Sequence, residues 1–174
     1  MAAYLPPAGY GIEPLSVRHN RAAFACGVAP LNHYLKQRAS QDADRDVART
    51  YVLAAPDGTT IAGYYALSAT GIRLDDLPEE IARKLPRYPL LPATLLGRLA
   101  VNLAHRGMGC GEVLLLSALG KSWDLSQQGA SSAVVVDAKD DRARSFYERY
   151  GFRAFRDHPR RLFLPMKTIR RLFA

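Results

Sequence analysis

Residues 95–119 read LLGRLAVNLAHRGMGCGEVLLLSAL, in which a glycine-rich turn separates two apolar runs. The first run predicts a strand, Leu95 to Leu103, and the second predicts a helix, Val113 to Gln127. The first turn of a helix has N–H groups without intrahelical partners, and the helix dipole places partial positive charge there. The turn is therefore predicted to bind phosphate, with a plain strand-to-helix connection as the alternative.

The residue types inside this turn fit the same prediction. Glycines let a pyrophosphate approach the main chain closely. Arg106, at the mouth of the turn, would add a guanidinium whose fork of donors matches phosphate oxygens. Cys110 is interpreted as a small side chain that fills a tight turn.

Composition places the chain among ordinary globular proteins. It has 174 residues, 48% apolar and 23% charged, which predicts one domain spanning 1–174. No membrane-length apolar run and no secretory leader pattern is present, so we expect a cytoplasmic protein without membrane contact. Cys26 and Cys110 lack metal-type spacing, so free thiols and no metal ion are expected.

The chain is basic. It contains 24 Lys and Arg against 16 Asp and Glu, a formal net charge of +8. This excess favours a polyanionic ligand or partner, such as RNA, DNA, coenzyme phosphates or an acidic protein. A solvated basic surface without a partner is the alternative.

Patterns before the turn predict strands and short helices. An entry strand, Tyr10 to Leu15, precedes a short helix over Ala22 to Phe24 that Asn20 would cap. A second helix follows Pro30 and ends where the polar run Gln37 to Arg49 begins. Two strands joined by the turn Pro56-Asp57-Gly58 then predict a β-hairpin, Tyr51 to Ala55 with Thr60 to Ser68.

Patterns elsewhere predict a long excursion and a regular C-terminal part. Asp75 to Pro92 contains prolines and reads as the excursion. Ala133 to Asp137 predicts a buried strand, and Asp140 can cap a helix that Gly151 ends. Phe152 begins another strand. Strands that alternate with helices after an antiparallel hairpin predict an α/β fold with a mixed central sheet flanked by helices.

Two motifs resemble the GNAT superfamily of acetyl-CoA-dependent N-acetyltransferases. Arg106, Gly109 and Gly111 match its Arg/Gln-x-x-Gly-x-Gly/Ala loop, and the segment from Ser145 to Phe152 is similar to its terminal FYxxxGF helix and strand. The resemblance implies the GNAT (acyl-CoA N-acyltransferase) fold and acetyl-CoA as co-substrate.

A narrower resemblance to TacT-like toxins covers nearly the whole chain. The matching segments are His19 to Arg21, Phe24 to Gly27, Ala48 to Val52, Gly63 to Tyr65 and Leu96 to Val101. The resemblance implies acetylation of the amino group on aminoacyl-tRNA, a block of translation, a homodimer and a neutralising antitoxin of the ribbon-helix-helix type. Asn102 departs from the group, which commonly has Asp there.

The resemblance also implies the roles of individual residues around the co-substrate. The backbone of Leu99, Ala100 and Val101 would lie along the pantetheine arm, as an added strand does, although a buried sheet is the plainer interpretation. The pyrophosphate would contact Arg106 and the amides of Gly107, Met108, Gly109, Cys110 and Gly111. The Val101 amide would polarise the reacting carbonyl.

Tyr147 matches the superfamily tyrosine that protonates the departing thiolate. A phenol, with an ordinary pKa of about 10, is protonated at neutral pH and can supply that proton. A core aromatic is the alternative, because Tyr147 shares a helical stripe with Phe146 and Tyr150.

No residue is an obvious general base for the attacking amine, and His105 is at most a second phosphate contact. The α-amino group of an aminoacyl ester is partly neutral at pH 7 without one.

Arginines supply most of the positive charge. Arg98, Arg142 and Arg149 are the selected candidates for contact with tRNA phosphates, and solvated surface charge is the alternative. They belong to a wider set of basic candidates for the same contact: Arg83, Lys84, Arg87, Arg144, Arg153, Arg156, Arg160 and Arg161.

Two rival functions use the same fold. One is acetylation of a protein N-terminus, a lysine or a small amine, and the other is a non-catalytic RNA or partner binding module.

Overall fold

The computed structural model describes residues 5–173. In this part of the chain seven strands form one sheet. The strands are β1 Gly11–Pro14, β2 Arg49–Ala54, β3 Ile61–Ile72, β4 Leu91–Val101, β5 Ala133–Asp137, β6 Arg153–Phe155 and β7 His158–Pro165. Their spatial order is β1-β2-β3-β4-β5-β7-β6. The pairs β1–β2, β2–β3, β5–β7 and β6–β7 are antiparallel, and the pair β4–β5 is parallel.

Helices occupy the connections between these strands. Helix α1 (Ala29–His33) runs through a π-helical turn, Tyr34–Arg38, into α2 (Ala39–Asp44). Short 3₁₀ turns occupy Leu74–Asp76 and Leu103–His105. None of the helices described within residues 5–173 combines the length and the apolar content that crossing a bilayer requires. The α-helices are α1 Ala29–His33, α2 Ala39–Asp44, α3 Glu79–Ala82, α4 Cys110–Gly129, α5 Asp141–Arg149 and α6 Met166–Phe173.

The chain packs as two compact units. The first contains residues up to Ser68 and Arg98–Ala118, and the second contains Ala69–Gly97 and the residues from Leu119 onward. The core of the first unit is built around aromatic rings and aliphatic side chains: Phe24, Tyr34, Leu35, Val52, Ile61 and Tyr64. The core of the second unit joins the excursion segment to the C-terminal strands: Ile72, Leu77, Leu91, Val135, Phe155 and Phe163.

The first predicted helix is wrong. Residues after Asn20 form turns, in which the Asn20 side chain accepts a hydrogen bond from the Ala23 N–H (3.2 Å). The Asn20 N–H donates to the Thr59 carbonyl (2.8 Å), and Asn20 forms an isolated bridge with Thr60. Asn20 therefore caps a turn and attaches it to the β2–β3 hairpin.

The predicted end of the second helix is also wrong. The helical path continues through the polar run to Asp44, because the Tyr34 hydroxyl donates to Asp42 (2.9 Å) and Ala39 is buried. A local hydrogen bond and the burial of Ala39 in the core thus replace the apolar periodicity that the sequence lacks there.

Three further differences concern segments without strong periodicity. Strand β4 begins at Leu91, four residues before its predicted start, within the proline-bearing excursion. The excursion itself forms a 3₁₀ turn and α3. Helix α6 follows β7 directly and was not predicted, although its buried residues Met166 and Ile169 are three apart. The hairpin, α4, β5, α5 and the strand after Phe152 agree with the prediction.

Candidate functional site

Asn102 fixes the point where strand β4 leaves the sheet. Its side-chain amide donates to the Ile61 carbonyl (3.0 Å), and its side-chain oxygen accepts from the Ala104 N–H (3.1 Å). Its backbone N–H donates to the Ala62 carbonyl (2.8 Å). An aspartate could not donate to Ile61, because an ionised carboxylate only accepts hydrogen bonds. Asn102, in place of the aspartate common in TacT-like toxins, therefore adds a hydrogen bond to Ile61 of the neighbouring strand β3.

The glycine-rich turn has a backbone that only glycine adopts easily. Gly107 and Gly109 have φ of +80° and +76°, in the left-handed region. A Cβ added at Gly107 would meet open space, so the main chain is accessible there. Helix α4 begins at Cys110, and its first N–H groups have no intrahelical acceptor. The turn thus presents accessible amides at the N-terminus of a long helix.

Cys110 lies inside the turn and not on its surface. Its side chain is buried, and burial raises the pKa of the thiol. The protonated thiol fills the turn as a small apolar group, as the sequence predicts.

The turn is braced by the segment Ala25–Gly27 of the same unit. The Arg106 guanidinium Nη2 donates to the Cys26 carbonyl (3.3 Å), and the Leu103 N–H donates to the Ala25 carbonyl (2.8 Å). The Cys26 N–H in turn donates to the Asn32 side chain (2.9 Å). Arg106 is exposed and keeps further N–H donors for a ligand. The bracing role of Cys26 was not predicted, because a backbone carbonyl leaves no signal in sequence.

Strand β4 continues past the end of its pairing with β5. The parallel register joins Thr94, Leu95 and Leu96 to Val134, Val135 and Val136, and β4 extends on to Val101. In this last part Ala100 is buried, whereas Leu99 and Val101 are half-buried.

Gly63 of β3 lies closely against the same stretch of β4. A Cβ on Gly63 would stand 2.8 Å from the Ala100 carbonyl oxygen and 2.6 Å from Leu114 Cδ1. The absence of a side chain at Gly63 therefore sets the position of the Ala100–Val101 backbone and of the α4 start.

Tyr147 lies on α5 in the second unit, whereas the glycine-rich turn lies in the first. Asp140 caps α5 by accepting from the Ala143 N–H (2.8 Å), as predicted. The Tyr147 ring is only 8% exposed and packs edge-to-face against Phe146 and Phe152. Burial raises the pKa of Tyr147 to about 12, so its hydroxyl holds its proton at every physiological pH.

The free energy of unfolding is expected to fall as the pH rises from about 10 toward 12. Burial raises the pKa of Tyr65 and Tyr147 to about 12 and raises that of Tyr64 as well. In this window the unfolded chain has lost phenolic protons that the folded chain keeps. Each tyrosine then lowers stability by about 1.4 kcal/mol per pH unit. Urea unfolding at a series of pH values measures this slope, which Tyr147→Phe should make shallower. A slope of zero would contradict the burial.

The three arginines predicted to contact tRNA have different environments. The Arg98 guanidinium carbon lies 3.5 Å above the centre of the Tyr34 ring, a cation–π contact within the first unit. Arg142 and Arg149 are exposed on α5 in the second unit, and Arg149 lies 5.7 Å from the Phe146 ring. The contact between Tyr34 and Arg98 was not predicted, because the position of Tyr34 on a helix gives no sign of it. The Tyr34 ring orients the Arg98 guanidinium.

Other arginines on the C-terminal strands and α5 are engaged by carboxylates. Glu148 pairs with Arg144, and the other pairs are Arg153–Glu80 (2.8 Å), Arg160–Asp141 (3.2 Å) and Arg161–Asp137 (3.4 Å). These pairs are largely exposed, so each contributes little to stability, but each reduces the positive charge offered to a ligand.

The buried histidine has a structural role. His19 Nδ1 accepts from the Ser16 N–H (2.9 Å), so its Nε2 carries the proton and donates to Glu13 (2.6 Å). Arg18 also pairs with Glu13, and both partners lower the pKa of this carboxyl. His105 lies beside the glycine-rich turn with its ring edge-on to Tyr10 at 5.9 Å.

The fold and the turn define the class of protein. Residues 71–162 match the family model described as FR47-like protein. This match covers more than half of the chain, and the chain belongs to the FR47-like family. The predicted membership in the GNAT group is thereby confirmed.

The curated relatives of this chain include toxins. The probable toxin TacT of Sinorhizobium fredii (strain NBRC 101917 / NGR234) is 35% identical over 92% of this chain and 93% of the relative. The tRNA-acetylating toxin of Mycobacterium tuberculosis (strain ATCC 25618 / H37Rv) is 33% identical over 86% of this chain and 88% of the relative. The predicted resemblance to TacT-like toxins is confirmed.

Solved structures agree with the fold across almost the whole chain. A tyrosine-to-phenylalanine mutant of KacT has a TM-score of 0.88 and 30% identity, covering 94% of this chain and 99% of KacT. AtaT complexed with acetyl-methionyl-tRNAfMet has a TM-score of 0.86 and 28% identity, covering 95% and 99%. A mutant AtaT bound to the C-terminus of the antitoxin AtaR and acetyl-CoA has a TM-score of 0.81 and 25% identity, covering 95% and 99%. The predicted GNAT fold is confirmed.

Proposed function

We propose that the chain is a toxin that transfers the acetyl group of acetyl-CoA to the free amino group of aminoacyl-tRNA and so blocks translation. The observation that carries this proposal is the 33% identity with a tRNA-acetylating toxin over 86% of the chain. The AtaT complex with acetyl-methionyl-tRNAfMet supports the same acceptor, and the complex with acetyl-CoA supports the same donor. Both lines agree with the activity expected from the sequence.

The glycine-rich turn fits the pyrophosphate of acetyl-CoA. The left-handed φ of Gly107 and Gly109, the open space at Gly107 and the free N–H groups at the start of α4 together form an anion cradle. Arg106 adds a positive charge, and the backbone of Met108, Cys110 and Gly111 completes the proposed contacts. The β4 backbone from Leu99 through Ala100 to Val101 would pair with the amides of the pantetheine arm.

Arg106→Ala is expected to raise the KM for acetyl-CoA on the order of 10-fold, because a charge-assisted hydrogen bond to phosphate is lost. The brace to Cys26 is lost with it, and kcat should change much less than KM. Steady-state thiol release at varied acetyl-CoA measures both constants. Arg45→Ala is the matched control, since Arg45 is an exposed arginine at the C-terminus of α2 in the same unit. An unchanged KM for Arg106→Ala would exclude Arg106 from the phosphate site.

The proposed chemistry assigns one proton to Tyr147. Acetyl-CoA supplies a thioester, whose acetyl carbon accepts the amine nitrogen and whose sulfur leaves with the electron pair of the broken C–S bond. The Tyr147 hydroxyl gives its proton to that sulfur and regains one from solvent. The amine nitrogen loses its extra proton to water, since an α-amino group with a pKa of about 7.7 to 8.0 needs no strong base. The Val101 N–H would polarise the reacting carbonyl.

The partners and location follow from the same proposal. Residues 1–174 would act as one catalytic domain in the cytoplasm, where charged tRNA is found. Antitoxin-bound relatives support a protein antitoxin, and we propose the ribbon-helix-helix type. We also propose a homodimer. Light scattering should give about twice the chain mass of 19.2 kDa, and particles of the single-chain mass would overturn the dimer.

Radiolabelled acetyl-CoA tests the function against its rivals. Purified protein is incubated with charged tRNA, deacylated tRNA, and a mixture of peptides with free N-termini and lysines. Label on charged tRNA alone is the expected result. Label on peptides alone would establish a protein or small-amine acetyltransferase, and tRNA binding without label would establish a binding module.

A further inference from the structure

The second unit carries a basic groove whose lining contains none of Arg98, Arg142 and Arg149. Its walls come from the excursion segment between β3 and β4 and from the residue after β6. Four arginines face two carboxylates, Asp75 and Glu79, so the lining has a net positive charge. The basic groove is formed by Arg73, Arg83, Arg87, Tyr88, Leu90 and Arg156.

The groove is held in shape by contacts on both walls. The Arg156 N–H donates to the Asp76 carbonyl (2.9 Å), and Arg153 pairs with Glu80 at 2.8 Å. Leu77, within the segment, is buried in the core of the second unit. Leu90 packs over Gly71, where a Cβ would stand 2.8 Å from Leu90 Cδ2. The segment is therefore attached to the end of β6 and does not hang as a free loop.

The charges of the groove are available to a ligand. Elsewhere in the second unit Arg144, Arg153, Arg160 and Arg161 are paired with carboxylates. Within residues 5–173 no carboxylate forms an ion pair with the Arg73, Arg87 or Arg156 side chain. Arg83 acts on Glu80, whose pKa it helps to lower together with Arg153. At least three guanidinium groups of the groove thus form no ion pair with a carboxylate of the described residues.

An exposed aromatic ring lies among these charges. Tyr88 is 63% exposed and Leu90 is 57% exposed, an unusual pair of apolar side chains to leave in water beside arginines. Guanidinium groups that bind phosphates and an aromatic ring that stacks on a base are the two components of single-stranded RNA binding. An acidic peptide would use the arginines but would leave the ring without a stacking partner.

We propose that the basic groove binds the RNA of the tRNA substrate, with its arginines on backbone phosphates and an unpaired base stacked on Tyr88. This inference rests on the proposed function for the identity of the RNA. It assigns RNA binding to residues other than Arg98, Arg142 and Arg149, and it accounts for the groove arginines that form no ion pair with a carboxylate.

Binding of deacylated tRNA tests the groove without any acetyl transfer. Fluorescence anisotropy is measured with labelled tRNA at several salt concentrations for wild type and for Arg83→Ala/Arg87→Ala. Each lost phosphate contact should reduce the slope of log K against log salt by about 0.7 to 0.9, so the double variant should lose about 1.4 to 1.8. The matched control is Lys167→Ala/Arg171→Ala, which removes two exposed charges from α6 and should lose less than half as much.

Two substitutions at Tyr88 separate stacking from charge. Tyr88→Ala should weaken tRNA binding on the order of 10-fold, whereas Tyr88→Phe should bind as wild type does, because the ring face is kept. The Tyr88 side chain is exposed, so neither substitution disturbs a core. Equal losses from both variants, or a loss from neither, would overturn the stacking contact.

The remaining outcomes distinguish the groove from the proposed function. If poly-L-glutamate binding falls as much as tRNA binding in the arginine variant, the surface recognises acidic chains and the RNA assignment is wrong. If tRNA binding is the same in the arginine variant and wild type, the groove does not bind tRNA, whatever the catalytic result. If wild type binds tRNA through the groove but transfers no acetyl group to charged tRNA, the groove is an RNA-binding site and the proposed function is wrong.

Discussion

Tyr147→Phe is expected to lower kcat for acetyl transfer by about 10²- to 10⁴-fold, the range that general acid catalysis typically contributes. The ring would keep its edge-to-face contacts with Phe146 and Phe152, so the fold should be retained. Binding of acetyl-CoA should be unchanged, since only one hydroxyl is removed. Single-turnover transfer to charged tRNA measures the rate, and equilibrium dialysis measures the binding.

The matched control for this experiment is Tyr150→Phe, one turn further along and at the C-terminus of α5. This variant removes the same group from the same helix and should keep the wild-type rate. In wild type the rate should rise with pH as the amine loses its proton and should not fall up to pH 10, because burial raises the pKa of Tyr147 to about 12. A Tyr147→Phe rate within threefold of wild type would remove Tyr147 from the chemistry.

Gly63→Ala is expected to have the second large effect, on both stability and co-substrate binding. The new Cβ would stand 2.8 Å from the Ala100 carbonyl oxygen, which is main chain and cannot rotate away. Overpacking of this kind costs about 1 to 3 kcal/mol. Because the displaced backbone is the stretch proposed to pair with pantetheine, the KM for acetyl-CoA should rise on the order of 10-fold.

Gly11→Ala is the control for this substitution. Gly11 also lies in a strand, but a Cβ there would meet nothing within 4 Å. Chemical denaturation and acetyl-CoA titration of both variants should show a loss for Gly63→Ala only. If Gly63→Ala has the stability and the acetyl-CoA affinity of wild type, β3 and β4 can move apart at this point without cost. That result would contradict the close approach of Gly63 to the Ala100 carbonyl.

Local signals in the sequence were sufficient for the family and most of the fold. The glycine-rich turn predicted the β4–α4 junction, and the Asp140 cap with Gly151 predicted α5 to within one residue at its start. These elements are defined by neighbours in sequence, namely caps, left-handed glycines and apolar periodicity. The FR47-like match confirms the class that these motifs indicated.

The errors arose where distant partners decide the local structure. Asn20 caps a turn because the hairpin residues Thr59 and Thr60 bind it, and no pattern near Asn20 announces them. The helical path continues to Asp44 because Ala39 is buried in the core of the first unit, not because of apolar periodicity. Both cases show tertiary contacts overriding propensity.

The roles predicted for Tyr147 and the glycine-rich turn remain predictions, whereas their local environments are now defined. The sequence could not reveal the brace from Arg106 to Cys26, because its acceptor is a main-chain carbonyl 80 positions away. Nor could it show that Arg98 stacks on Tyr34, since cation–π pairs across a fold have no sequence spacing. Such contacts become visible only when the strands and helices are assembled.

Identification of the acetylated atom tests the central claim most directly. Charged tRNA is treated with the protein and acetyl-CoA, digested with ribonuclease, and the aminoacyl-adenosine from its 3′ end is analysed by mass spectrometry. We expect wild type to form N-acetyl-aminoacyl-adenosine and Tyr147→Phe to form much less of it. Unmodified aminoacyl-adenosine, from a wild-type preparation that consumes acetyl-CoA with peptides, would contradict this expectation.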